Sequence, residues 1–208
     1  MSIMLEWNRR QLWNGCILAG IAHAIMVGEN PMMANEQSWD GLNYSVQDSS
    51  GQRGTVSFND EYCVAAFRND NSRRIRDLLD IKQYFEGADE SVIQLANEEA
   101  LQYLLDEVDG EIKPVITTAF WGRENLVTND TLDVMMENGG KLLEVQMGEI
   151  PVAVEYWKNT YQMNDNQVKM MLLLYEKKSA MPNQTITLSK EEVAILGIKN
   201  EDGRIESK

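Results

Sequence analysis

Residues 39–67, WDGLNYSVQDSSGQRGTVSFNDEYCVAAF, carry the pattern that decides the fold. Leu42, Tyr44 and Val46 alternate with polar neighbours, the two-residue period of a strand with one face buried. Residues 48–51 have the composition of a turn, and Val56 with Phe58 resumes the alternation. Residues 59–61 mark a second turn, after which 62–67 run apolar without interruption, as a strand covered on both faces would. The reading is a three-stranded antiparallel meander. Three strands hide too little apolar surface to stand alone, so helices must cover them.

The first such helix lies upstream. Trp13, Ile17, Ile21 and Ile25 recur every four residues, which places them on one helical face pressed on the sheet. Arg9 and Arg10 precede the apolar run 12–27, and residues 22–24 read Ala-His-Ala, the form of a secretory leader. Asn14, Gly15 and His23 interrupt that run, and it is too short to span a bilayer, so a retained cytosolic helix is the reading, with a cleaved leader as the alternative.

Downstream the chain reads as mainly helical. Asp89 is placed to cap a helix with Ile93, Ala96, Ala100, Leu101, Leu104, Leu105 and Val108 on one face and Glu98, Gln102 and Asp106 outside, ending at Gly110. Residues 114–121 suit a fourth strand or a buried loop. Asn129 or Asp130 starts a short helix closed by Gly139 and Gly140, and Pro151 opens another that buries Tyr156, Trp157 and Tyr161. Asn164 or Asp165 begins the strongest late helix, with Val168, Met171, Leu172 and Tyr175 as its stripe, and Ser189 with Glu192 forms a capping box. The expected class is α+β: a small antiparallel three- or four-stranded sheet packed by an N-terminal helix, with a mainly helical C-terminal half. One domain is expected over 1–208, its sheet-containing part about 1–86, its helical part about 87–199, and 200–208 a frayed tail.

Composition removes several chemistries. The chain has 33 acidic and 19 basic side chains and a single histidine, with no Gly-rich phosphate loop and no metal-ligand spacing. Cys16 and His23 on one helix stand about 10 Å apart along its axis, too far to share a proton. Cys63 could meet His23 only through the fold. No catalytic, cofactor-binding or metal-ligating residue is therefore assigned, and no cofactor is expected. Arg68, Arg73, Arg74 and Arg76 form the one basic cluster and are read as paired with nearby carboxylates.

A net charge of −14 opposes nucleic acid and anionic membranes and favours a protein partner with a basic surface. The candidate partner-binding residues are Glu98, Gln102, Asp106, Glu107 and Asp109, taken as the exposed face of the helix over 89–109.

Residues 39–67 and 117–146, the latter with TTAFWG, ND and GGKLLEVQ, resemble uncharacterised bacterial cytosolic proteins, some of which are similar to the immunity partners of secreted polymorphic toxins. The resemblance carries no catalytic motif and transfers no site residue. It implies a non-catalytic, cytoplasmic binding protein, an immunity-type inhibitor of a basic toxin. An enzyme with an unrecognised site and a regulatory or scaffold adaptor are the alternatives.

Overall fold

The computed structural model describes residues 2–196, so the tail over 200–208 lies outside the described residues. In chain order the elements are β1 (Ile3–Asn8), α1 (Arg9–Glu29), β2 (Gln37–Asp40), β3 (Asn43–Gln47), β4 (Gln52–Phe58), β5 (Cys63–Asn69), α2 (Ile81–Tyr84), α3 (Glu90–Glu98), β6 (Leu105–Val108), β7 (Glu111–Pro114), β8 (Thr118–Gly122), β9 (Asn125–Thr128), α4 (Leu132–Glu137), α5 (Ile150–Thr160), α6 (Asp165–Ala180) and α7 (Lys190–Leu196). The fold is α+β. Two compact units divide it: a sheet-bearing one up to Gln11 and over Trp39–Glu144, and a helical one over Leu12–Ser38 and from Val145 onward.

The sheet is larger than the expected three or four strands. Seven strands run in the order β1-β9-β8-β5-β4-β3-β2, and β6 with β7 forms a separate two-stranded ribbon. The expected meander is β3-β4-β5, held by the pairs Tyr44↔Val56 and Phe58↔Cys63. Asp48 accepts from the Ser50 and Gln52 amides in its first turn, and Asn59 from those of Glu61 and Tyr62 in its second. The segment 114–121 supplies β8, whose Phe120 pairs with Ala65 of β5. The strands missed are short or terminal: β1 reaches β9 through Ile3↔Thr128, a pairing across most of the chain that no local pattern announces.

The centre of the sheet is closed on both faces, and β5 and β8 are buried from Cys63 to Phe67 and from Thr118 to Gly122. On one face Val64, Ala66, Ala119 and Trp121 pack with Phe85, Val92, Leu95, Leu101 and Leu104 from the helical segments between β5 and β6. Phe85 meets the Trp121 ring at 5.6 Å. Phe67, its ring tilted against Phe120 at 5.7 Å, leaves no room for a Cβ at Gly139, whose φ of +124° only glycine adopts without strain.

In the helical unit, α1 is buried over much of its circumference, including Cys16 and His23, as expected. Gly15 lets its backbone approach the Gln146 main-chain carbonyl so closely that a Cβ would overlap it. Helix α5 has Pro151 in its first turn, and α6 starts with a capping box in which the Asn164 side chain accepts from the Gln167 amide and Gln167 reaches back. The buried stripe of α6 is Gln167, Met170, Met171 and Leu174, displaced from the expected one, because the Gln167 side chain turns inward to donate to Glu29 at 2.7 Å. On α5, Trp157 is buried but Tyr156 is largely exposed.

Candidate protein-binding ribbon

The helix expected over 89–109 breaks at Glu98. A 3-10 turn over Ala100–Leu104 follows, and the chain then becomes the β6-β7 ribbon. The reason is the Asp109-Gly110 pair, which takes φ of +56° and +83°. Two successive left-handed residues make the tight turn whose twist matches a hairpin, and Asp-Gly is a preferred pair for it. Alternation over Glu111 to Pro114 adds to the signal that could have found the ribbon, whereas Leu105 to Val108, apolar only at its two ends, does not alternate.

Register decides what each face presents. Leu105 lies opposite Pro114 and Glu107 opposite Ile112, while Asp106 faces Lys113 and Val108 faces Glu111. Cross-strand partners share a face, so Leu105, Glu107, Ile112 and Pro114 form one side of the ribbon and Asp106, Val108, Glu111 and Lys113 the other. Asp106 turns its side toward the large sheet: Arg68 of β5 donates to it at 2.5 Å and to Asp70 at 2.6 Å. The Asp106 carboxylate also accepts from the Glu107 amide, and these donors, Arg68 foremost, hold its pKa below the usual carboxylate value. The opposite side faces outward, with Leu105 40% and Ile112 68% exposed.

Tyr103 stands at the root of the ribbon, tethered by its hydroxyl. It donates to Asp40 at 2.9 Å, and Asn43 donates to it at 3.3 Å and to Glu99 at 2.6 Å. Ser57, fully buried in β4, donates in turn to the Asn43 carbonyl oxygen. Desolvation and the neighbouring Asp40 raise the Tyr103 pKa, so the hydroxyl stays neutral and its ring is held half out of the protein.

Of the five residues read as partner-binding, three fall on the ribbon and two do not. Glu98 ends α3 and accepts from Gln94, and Gln102 donates to the Asn97 carbonyl. Asp106 is occupied by Arg68. Glu107 and Asp109 are exposed, as is Glu111, and none of these three joins an ion pair among the described residues. Sequence reasoning missed Glu111, Leu105, Ile112 and Tyr103, since Tyr103 and Leu105 fell within the expected helix and Glu111 and Ile112 beyond its end.

The remaining candidates resolve as internal ties. Arg74 grips Asp130 with two parallel bonds at 2.7 and 2.8 Å and also donates to the Thr117 carbonyl, while Thr118 donates to Asp130 at 2.6 Å. With Arg68 paired as well, the arginine cluster is half consumed by carboxylates, and Arg73 and Arg76 are exposed. Burial pushes the Cys63 thiol well above its ordinary range, which disfavours the thiolate a nucleophile needs. His23 Nδ1 lies 3.4 Å from the Tyr161 hydroxyl, itself receiving a bond from Gln37 at 3.0 Å. Among the described residues no group of three or more His, Cys, Asp or Glu could hold a metal ion, and one open depression is lined by Arg123, Glu124 and Asn125 at the β8-β9 turn. Helix α1 is long and apolar enough to cross a bilayer, and just over half of its most apolar window, 56%, is buried within the protein. Compared with protein-family models, curated proteins and solved structures, the chain matches none.

Proposed function

We propose that the protein is a non-catalytic, cytoplasmic binding protein that captures a protein partner with a basic surface, in the manner of an immunity protein masking a basic toxin. The observation that carries the reading is the set Glu107, Asp109 and Glu111, three exposed carboxylates without an ion-pair partner among the described residues: Glu107 is on the outward side of the ribbon, Asp109 in its turn and Glu111 next to the turn on the side tied down through Asp106 and Arg68. Carboxylates held this way attract a cation without first breaking an internal pair, and the surplus of −14 extends that attraction over the approach. The same charge opposes nucleic acid and anionic lipid as partners.

The test is association kinetics with a basic toxin encoded beside this gene. The on-rate is expected to fall steeply between about 0.05 and 0.5 M salt while dissociation changes less. Replacing Glu107 and Glu111 together by lysine slows association further. A salt-independent on-rate, or one indifferent to both replacements, overturns the reading.

A further inference from the structure

The ribbon carries a feature that charge alone does not use. A singly exposed apolar side chain is ordinary on a protein surface, but Leu105 and Ile112 are two, on the same side of one ribbon, with half-exposed Tyr103 two residues before. They cannot escape by turning the ribbon over, because Asp106 on the other side is held by Arg68. A two-stranded ribbon is also marginal by itself and gains from a further layer on its open face.

The kind of layer follows from the rim. Glu107 lies directly across from Ile112, and Asp109 and Glu111 occupy the tip, so a second copy of this acidic chain would bring like charges together. An added strand is poorly served along the edges. Pro114 offers no N–H, and the Glu107 N–H is already taken by Asp106. Side-chain recognition remains. We infer that the outward face of the ribbon seats an apolar stripe flanked by lysine or arginine on the partner protein, with Ile112 as the anchor and the Glu107 carboxylate directly across from it meeting a flanking cation. The inference rests on the proposed capture of a basic partner and names the chemistry of the surface captured.

Two peptides of equal length and charge test it on the full chain: an amphipathic helix of leucine and lysine, and the same peptide with each leucine replaced by serine. The leucine peptide is expected to bind at least about tenfold more tightly, the apolar contribution of a few buried methylene groups, with amide shifts concentrated over 103–114. Ile112→Ser, at an exposed position that leaves melting unchanged, removes most of that advantage while leaving the serine peptide unaffected. Glu107→Gln weakens both peptides. Equal binding of the two peptides, or a leucine advantage that survives Ile112→Ser combined with Leu105→Ser, overturns the inference and leaves acidic capture standing. Failure of both peptides to bind at low salt overturns acidic capture and this inference with it. A dimer that Ile112→Ser dissolves would assign the face to a second copy instead.

Discussion

The sheet-bearing unit and the helical unit are closed by different physics. In the first, loops are tied by directed charge: Arg74 to Asp130 and Thr117, Arg68 to Asp70 and Asp106, with Ser72 donating to Asn138 beside them. In the second, the ties around α1 and α5 are steric and neutral: the glycine contact between Gly15 and the Gln146 backbone, and the cluster of His23, Tyr161 and Gln37 with Trp157 stacked on Tyr161 at 5.3 Å, charge entering through the Gln167 bond to Glu29 and the Lys177–Glu192 pair of α6 and α7. Arginine-carboxylate pairs keep their charge throughout the neutral range. An imidazole does not. The comparison therefore assigns tolerance of mild acid to the sheet and sensitivity to it to the helices.

The largest expected effect is in the helical unit. Gly15→Ala would raise intrinsic helix propensity by about 1 kcal/mol in an isolated α1, yet the new methyl meets a main-chain carbonyl that cannot swing aside. A net loss upwards of about 3 kcal/mol is expected, read as faster amide exchange over the helical unit. A variant as stable as the parent would show that this contact does not close the unit.

Asp130→Ala comes next. It strands the Arg74 guanidinium, which is 23% exposed, and removes the acceptor of Thr118. Breaking a more completely buried pair costs more, so about 2–3 kcal/mol is expected here by chemical denaturation. Tyr161→Phe follows at about 1–2 kcal/mol, the loss of one hydroxyl that accepts from the Gln37 amide.

The response to pH sharpens the contrast. Burial lowers the His23 pKa below its ordinary 6.5, with the Ala34 backbone opposing in part. The folded state then binds fewer protons than the unfolded one, so the stabilising contribution of the neutral imidazole is complete above about 6.5 and is lost as pH falls below it. Exchange in the helical unit is expected to accelerate between pH 7 and 5 in the parent and to change less in His23→Gln. Equal slopes in the two proteins would remove His23 from the account.

Asp106→Asn is the smallest perturbation. The carboxylate is exposed and its bond to Arg68 largely screened, so global stability is expected to hold while protection of the ribbon amides over 105–114 declines. Unchanged protection there would mean that Asp106 does not orient the ribbon.

How much could be read in advance varied with the range of the interaction. The meander 42–67 was legible because alternation, turn residues and the apolar run of β5 are all local, and the same holds for Pro151 in α5 and the Asn164 and Ser189 caps. The segment 89–110 misled because Leu101, Leu104, Leu105 and Val108 fit a helical face; the Asp109-Gly110 pair, which favours a hairpin, was read as a helix stop. At the candidate site, acidity was legible but facing was not, because a helix and a ribbon distribute the same five residues to different sides.

The amino-acid sequence by itself determined the α+β class, the acidic surface, the burial of α1 and the local turns and caps, since each depends on residues within a few positions of one another. Only the tertiary structure decided that β1 closes onto β9, that Gly15 must be glycine, that Arg68 consumes Asp106, and that Leu105 and Ile112 face outward together. Those outcomes depend on register and on contacts between segments far apart in the chain, and the side a ribbon residue takes is set by its partner across the strand pair.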